Sequence, residues 1–134
     1  MNDEEFQKLL NADAPLVLES CLTMLTLDDE GFAVRALIEN SRYPWRNVSS
    51  FIALQTLLFH ERIELYTLLF RQGSKTVCFN DETKTGKWER LVRFFNRGYN
   101  QGLPCHNGFA GLTSDQLAQL MNHWRERAIG ANKA

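Results

Sequence analysis

The apolar stretch from Ser49 to Gln72 constrains the fold more than any other part of the chain, because no glycine or proline interrupts it. If successive side chains are placed about 100° apart, as in an α-helix, only a narrow polar strip remains on its surface. The strip consists of Ala53, Thr56, His60, Glu64 and Thr67. A helix that is apolar around most of its circumference is usually central to a bundle or shared with a second subunit. We therefore predict a central helix over residues 49–72, ended by Gly73 and roughly 36 Å long.

One alternative is open for the second half of this stretch. The segment 64–80 also fits two strands around the turn-forming letters "QGSK", because Thr76, Val77 and Phe79 favour extended backbone. A short β-hairpin near residues 64–80 therefore competes with the end of the central helix. The helical alternative also allows a short extended piece at residues 75–79.

Five further segments show the three-to-four spacing of apolar residues that is typical of helices. They are residues 3–10, 13–27, 28–40, 86–97 and 113–130. Together with the central helix they predict an all-α fold, a single domain over the whole chain built as a bundle of five or six helices. The candidate core residues of the terminal and early segments are Phe6, Leu9, Leu10, Leu18, Cys21, Leu22, Leu25, Phe32, Leu37, Ile38, Leu117, Leu120, Met121 and Trp124.

Local signals support several of these helix ends. Asp13 is predicted to cap the second helix, with Pro15 in its first turn, where a missing N–H costs least. The acidic letters at the start of "DDEGFAVRALIEN" suit the positive end of a helix dipole. Thr113 and Gln116 match a capping box, and Gly130 is predicted to end the last helix.

The composition predicts a cytoplasmic protein. The opening letters "MNDEEFQKLL" are acidic and amphipathic, so we expect no signal peptide. The longest apolar run, "FIALQTLLF", is too short to cross a bilayer, and we expect no membrane contact. Cys21, Cys78 and Cys105 are an odd number of cysteines at wide spacing, a pattern typical of reduced thiols.

The small net charge of −1 conceals a division along the chain. Residues 1–41 carry nine acidic and two basic side chains, a net charge of −7. Residues 42–134 carry seven acidic and thirteen basic side chains, a net charge of +6. Such asymmetry indicates either a basic surface for a partner or acidic and basic elements packed against each other.

Motifs for catalysis, metal binding or nucleotide binding have no support in the sequence. No C-x-x-C or H-x-x-x-H pattern is present, and Cys105-His106 is the only adjacent pair of cysteine or histidine residues. Cys105 with His60 or His123 lacks any flanking signature of a nucleophile. The letters "GFAG" match the loop of KH domains in spacing only, since basic residues are missing between its glycines. We therefore predict no enzymatic activity, no metal and no cofactor.

The segment 86–97 has two faces if it is a helix capped by Thr85 and followed by Gly98. Its predicted core stripe consists of Trp88, Leu91, Val92 and Phe95. The opposite side carries Lys87, Arg90, Arg93 and Arg97 within about 120°, and Phe94 lies in the middle of these cations. Three explanations for Phe94 are open: cover by a neighbouring element, the centre of a protein interface, or stacking on an unpaired base beside phosphate-binding arginines.

A second basic and aromatic cluster lies in "SRYPWRN", before the predicted central helix. Its Trp45 is either tucked under that helix or extends the surface around Phe94. The predicted partner-binding residues are therefore Arg42, Trp45, Arg46, Lys87, Arg90, Arg93, Phe94, Arg97 and Tyr99.

These observations predict a small non-enzymatic protein that binds another protein, as a regulator, adaptor or inhibitor of a larger complex. The alternative is a nucleic-acid-binding accessory protein that uses the basic face of residues 86–97. We also predict a homodimer, because one small bundle cannot easily cover the central helix. Leu57 and Leu68, which flank the polar strip, are the expected dimer contacts.

Overall fold

A computed structural model describes residues 1–20, 23–36, 40–54, 75–95, 98–103 and 111–133. Within these ranges the chain forms three α-helices and two antiparallel sheets, so the prediction of an all-α bundle is wrong. The elements in chain order are α1 (Asp3–Leu10), β1 (Leu16–Ser20), β2 (Thr23–Leu27), β3 (Gly31–Ala36), β4 (Asn40–Pro44), a 3₁₀ turn (Trp45–Asn47), β5 (Ile52–Leu54), β6 (Thr76–Phe79), α2 (Lys87–Phe95), β7 (Gln101–Gly102) and α3 (Ser114–Lys133).

Strands β1 to β4 form a four-stranded antiparallel sheet in chain order. Side chains alternate between the two faces of the sheet, and one of these faces is apolar. Two rows cross that face, one of Leu18, Leu25 and Val34, the other of Leu16, Leu27, Phe32 and Tyr43. This face packs into the core.

The helices predicted over residues 13–27 and 28–40 are therefore wrong. Leu18 and Leu25 lie seven positions apart, which fits a helical stripe, but both also fit alternating strands. The tight turn between β2 and β3 decides between these patterns. The side chain of Asp28 accepts hydrogen bonds from the backbone N–H groups of Glu30 and Gly31, both at 2.9 Å. The acidic letters thus form a turn rather than the start of a helix.

Strands β5, β6 and β7 form a three-stranded sheet in that order. The central strand β6 is buried on both faces, with Val77 and Phe79 in the main core and Cys78 beside Val92 of α2. The extended piece predicted at residues 75–79 is confirmed. The central helix predicted over residues 49–72 is wrong at its start, because Ile52–Leu54 is a strand.

Several predictions fall outside the described residues. They concern most of the central helix, the first half of the competing hairpin, the dimer contacts Leu57 and Leu68, and the core candidates Cys21, Leu22, Leu37 and Ile38. The homodimer stays a prediction, although the helix expected to form its interface does not begin at Ser49.

The helices at the two ends of the chain are confirmed. Helix α1 buries Phe6 and packs against α3. At the start of α3 the predicted capping box is present, because Thr113 Oγ1 accepts from the backbone N–H of Gln116 at 3.1 Å and Gln116 Oε1 accepts from that of Thr113 at 3.0 Å. The predicted end at Gly130 is wrong, since α3 continues to Lys133. In the described ranges, no helix has the length and apolar character needed to cross a membrane.

The main core joins the two sheets to α1 and α3. At its centre five aromatic rings are in contact, with centroids between 4.9 and 6.3 Å apart. They are Phe32, Tyr43, Trp45, Phe51 and Phe79. These rings come from the larger sheet, the 3₁₀ turn, the segment before β5 and the smaller sheet.

Candidate functional site

The buried side chain of Val92 anchors helix α2 to the smaller sheet. Val92 is buried against Cys78 of β6, and the half-buried side chains of Leu54 and Tyr99 pack around this pair. At the carboxyl end of α2, Gly98 has a positive φ of 96° and donates its N–H to the carbonyl of Arg93 at 2.9 Å. Glycine adopts this left-handed conformation without steric cost, so the end predicted at Gly98 has a physical basis.

The remaining apolar side chains described on α2 are largely in solvent. Trp88 is 52% exposed, Leu91 is 44% exposed and Phe94 is 81% exposed. They lie three residues apart on successive turns, and we call them the apolar strip of α2. The prediction that Trp88 and Leu91 face the core is wrong, because only Val92 of that stripe is buried among the side chains described.

Cations adjoin the apolar strip on the solvent side of α2. Lys87 and Arg90 are exposed, and Arg93 is half-buried. On the helix, Arg90 lies about 40° from Phe94 and about 60° from Arg93. The structure therefore brings four of the predicted partner-binding residues together on one element: Lys87, Arg90, Arg93 and Phe94.

Beside these cations, α2 and the turn before it form an open groove of about 310 Å³. The basic groove, as we call it, is lined by Lys84, Thr85, Glu89, Arg90, Arg93 and Asn100. Arg90 donates its Nε–H to the carbonyl of Thr85 at 3.3 Å, which holds the guanidinium at the groove. Arg93 approaches the Glu82 carboxylate at 4.0 Å. Within the described part of the chain, no carboxylate forms an ion pair with Lys84 or Arg90.

The floor of the basic groove is held by Asn100, which is buried. Its side-chain amide donates to the carbonyls of Asp81 at 3.0 Å and Lys84 at 3.1 Å, and its side-chain oxygen accepts from the N–H of Asp81 at 2.9 Å. Asp81 in turn accepts from the N–H and hydroxyl of Thr83. Asn100 thus fixes the turn that carries Lys84. Sequence reasoning missed this role, although an Asn beside a glycine-rich loop is a common turn residue.

The other predicted partner-binding residues lie elsewhere. Trp45 is buried in the core and donates its Nε1–H to the carbonyl of Asp28 at 2.8 Å, so it presents no surface to a partner. Arg42 lies on the outer face of the four-stranded sheet and pairs with Asp28 at 3.0 Å. Arg46 is exposed on the 3₁₀ turn. Tyr99 packs against Val92, as described above.

Arg97 lies outside the described residues, so its place beside Arg93 stays a prediction. The second basic and aromatic cluster does not merge with the surface of α2. The two regions approach each other at the turn before α2, where Lys84 Nζ lies 5.9 Å from the centre of the Tyr43 ring and Glu82 donates its backbone N–H to the carbonyl of Asn47 at 3.1 Å. The sequence alone gave no means of separating these clusters.

The surface of α2 presents exposed apolar and positively charged side chains, which are suited to binding another molecule. Among the residues described, no group of three or more His, Cys, Asp or Glu side chains is placed to hold a metal ion. Comparison of the chain with protein-family models, with curated proteins and with solved structures finds no match.

Proposed function

We propose that this chain is a small, non-enzymatic cytoplasmic protein that binds another protein, as a regulator, adaptor or inhibitor of a larger complex, through the solvent side of α2. One observation carries the proposal: Trp88, Leu91 and Phe94 are exposed on successive turns of a single helix. Contiguous exposed apolar side chains rimmed by polar residues are typical of interaction sites.

The residue types on α2 also suit a protein interface. Tryptophan and arginine are enriched among the residues that contribute most to binding between proteins. Removing a large apolar side chain from water contributes roughly 1.5–3 kcal/mol, so burial of the apolar strip by a partner supplies a substantial driving force. Arg90 and Lys87 border the strip, where charged residues contribute to orientation and to the rate of association.

Nucleic acid is the competing partner, because Arg90 and Arg93 of the basic groove lie near the exposed aromatic side chain of Phe94. The net charge of −1 favours protein over nucleic acid, since dedicated nucleic-acid binders carry an excess of positive charge. The experiment therefore has to separate the two classes of partner.

Photo-crosslinking in cells of origin tests the proposal. A photoreactive phenylalanine analogue replaces Trp88 in one variant and Val17 in a matched control, because Val17 has a similar exposure but lies on the outer face of the four-stranded sheet. We expect a discrete protein adduct from position 88, resistant to nuclease, that is missing from position 17.

Three results would contradict the proposal. Nuclease-sensitive adducts at position 88 would show a nucleic-acid partner. The same adducts from both positions would show non-specific contact. A variant that retains the native circular dichroism spectrum but gives no adduct would show that α2 is not an interface.

A further inference from the structure

The basic groove has a chemical specificity that the apolar strip lacks. Resting on the proposed function, we infer that the groove binds one carboxylate side chain, Asp or Glu, of the partner protein, next to the apolar residue that contacts Phe94. The partner is therefore a segment in which an acidic residue closely follows or precedes an apolar anchor.

The net charge of the groove lining favours a negatively charged ligand. Lys84, Arg90 and Arg93 line the groove with one carboxylate, that of Glu89, so the lining carries an excess of two positive charges. Lys84 and Arg90 have no ion pair with any carboxylate of the described ranges. Elsewhere on the described surface, Arg42 pairs with Asp28 and Lys75 pairs with Asp115. The positive charges of Lys84 and Arg90 are thus available to bind a negatively charged ligand.

The cationic groups of the groove are also preorganised. Arg90 is held through its Nε–H on the Thr85 carbonyl, and the turn that carries Lys84 is fixed by buried Asn100. Guanidinium groups bind carboxylates through the parallel N–H groups of a planar fork, and the bond to Thr85 leaves the two terminal NH₂ groups of Arg90 to do so. Since these groups are already positioned, binding loses less side-chain entropy.

The acidic residues near the groove favour a carboxylate ligand over a phosphate. Glu89 lines the groove and Glu82 lies 4.0 Å from Arg93. A phosphate group carries about −1.5 to −2 charges near neutral pH and would be repelled more strongly by these acids than a singly charged carboxylate. With Glu82 counted beside Glu89, the three cations and two carboxylates leave a net charge of +1, which matches one carboxylate better than a phosphate or a phosphate chain.

The distance between Arg90 and Phe94 sets the spacing of the acid and the apolar anchor in the partner segment. Arg90 and Phe94 lie one turn apart, about 6 Å along the helix axis. An extended partner segment rises about 3.3 Å per residue, so side chains two positions apart on it span the same distance and point to the same side. The acid and the apolar anchor are therefore expected at positions i and i+2, or i and i+4 if the partner segment is helical.

Selection from a displayed library of random peptides on the full chain tests the inference. We expect enriched peptides to carry an aromatic or large aliphatic residue with an Asp or Glu at one of these spacings. For one such peptide, replacing its acid by the corresponding amide should weaken binding about tenfold, the usual effect of losing a charge-assisted hydrogen bond.

The groove itself is tested with Arg90→Gln and Arg93→Gln, each compared with Arg35→Gln. Arg35 is an exposed arginine on the outer face of the four-stranded sheet, so it controls for the loss of one positive charge. Each groove variant should weaken the acidic peptide about tenfold and should have no further effect on the amide peptide, because the interacting group is already missing. Arg35→Gln should leave both affinities unchanged.

The outcomes separate this inference from the proposed function. Enriched peptides that are apolar but lack an acidic position, with affinity unchanged in Arg90→Gln, would overturn the carboxylate and leave the interface in place. A phosphoserine peptide that binds more tightly than its Asp and Glu counterparts would overturn the choice of carboxylate. Failure to enrich any peptide, with tight and steeply salt-dependent binding of a single-stranded oligonucleotide, would overturn both.

Discussion

At Gly31, β3 passes close to the backbone of β4. A Cβ atom added there would clash with the backbone carbonyl of Tyr43 and would lie 2.8 Å from the Cα atom of Pro44. Because both neighbours are backbone atoms of the paired strand, neither can rotate away. Trp45 donates its backbone N–H to the carbonyl of Glu30 beside this glycine, so displacement of the strand would also disturb the aromatic core.

Gly31→Ala is therefore expected to lower the free energy of unfolding by about 1–3 kcal/mol, the usual cost of overpacking. Urea unfolding followed by circular dichroism measures the change. Gly130→Ala is the matched control, because a Cβ at this position in α3 meets nothing within 4 Å. Alanine favours a helix over glycine, so this variant should be as stable as the parent chain or more stable by up to about 1 kcal/mol. Equal stability of the two alanine variants would contradict the steric argument.

Asp28 is a second residue on which the same hairpin depends. Burial raises the pKa of its carboxyl group, but hydrogen bonds from the backbone N–H groups of Glu30 and Gly31 and the interaction with Arg42 lower it more. The pKa of Asp28 is lowered overall from its usual value of 3.8. A carboxyl group with a lowered pKa stabilises the folded protein above its unfolded-state pKa and loses that contribution as pH falls through its folded-state pKa.

Asp28→Asn should therefore destabilise the protein near neutral pH, and its difference from the parent chain should shrink below about pH 3.8. Unfolding free energies of both proteins over a series of pH values measure this. Asp29→Asn serves as a control, since the Asp29 carboxylate is largely exposed and lies at the long distance of 4.0 Å from Arg127. A difference between Asp28→Asn and the parent that stays constant into strong acid would show that the carboxylate charge does not contribute.

At the scale of elements, the helices of this chain carry local signals that its strands lack. The capping box at Thr113 and Gln116 and the positive φ of Gly98 are encoded within a few residues, so the ends they mark could be predicted. The strand β1 and its neighbours contain short apolar runs that fit either period. What selects strands is pairing between segments distant in the chain, as in the row that joins Leu27, Phe32 and Tyr43.

For the same reason, only part of the candidate site could be predicted: local patterns are visible in the sequence, and contacts between distant segments are not. The basic face of α2 and the place of Phe94 on it follow from helical periodicity, which a sequence shows directly. Periodicity does not show which neighbour covers a helix, so the exposure of Trp88 and Leu91 could not be predicted. The basic groove also depends on Asn100, which reaches Lys84 across a sequence separation of 16 residues.

Alanine substitutions at two positions of α2 distinguish a surface side chain from a core side chain by their effect on stability. Phe94→Ala should change the free energy of unfolding by less than about 0.5 kcal/mol, because the side chain is 81% exposed. Val92→Ala should lower it by at least about 1.5 kcal/mol, because its side chain is buried against Cys78 and the loss leaves a cavity. Thermal and urea unfolding measure both variants. A Phe94→Ala variant as unstable as Val92→Ala would show that Phe94 is structural and would remove it from the proposed interface.

At the scale of the whole molecule, the aromatic core makes the two sheets dependent on each other. Phe32 of the larger sheet contacts Phe79 of the smaller sheet with ring centroids 5.5 Å apart, and Tyr43 contacts Phe79 at 5.2 Å. Tyr43 also donates its hydroxyl to the buried side chain of Gln101 in β7 at 3.4 Å. Helix α3 adds a further connection, since the Asn122 side chain accepts from the N–H of Phe51 and donates to its carbonyl.

These connections predict one cooperative unfolding transition for both sheets. Trp45 and Trp124 are buried at different places in the core, so their fluorescence reports tertiary packing while far-ultraviolet circular dichroism reports helices and strands. The two signals should give the same midpoint in urea. Phe32→Ala should lower the free energy of unfolding by about 3–5 kcal/mol and shift both signals together, because the ring lies between the sheets. If circular dichroism retained a second transition after the fluorescence change was complete, the sheets would unfold separately and the shared core would not couple them.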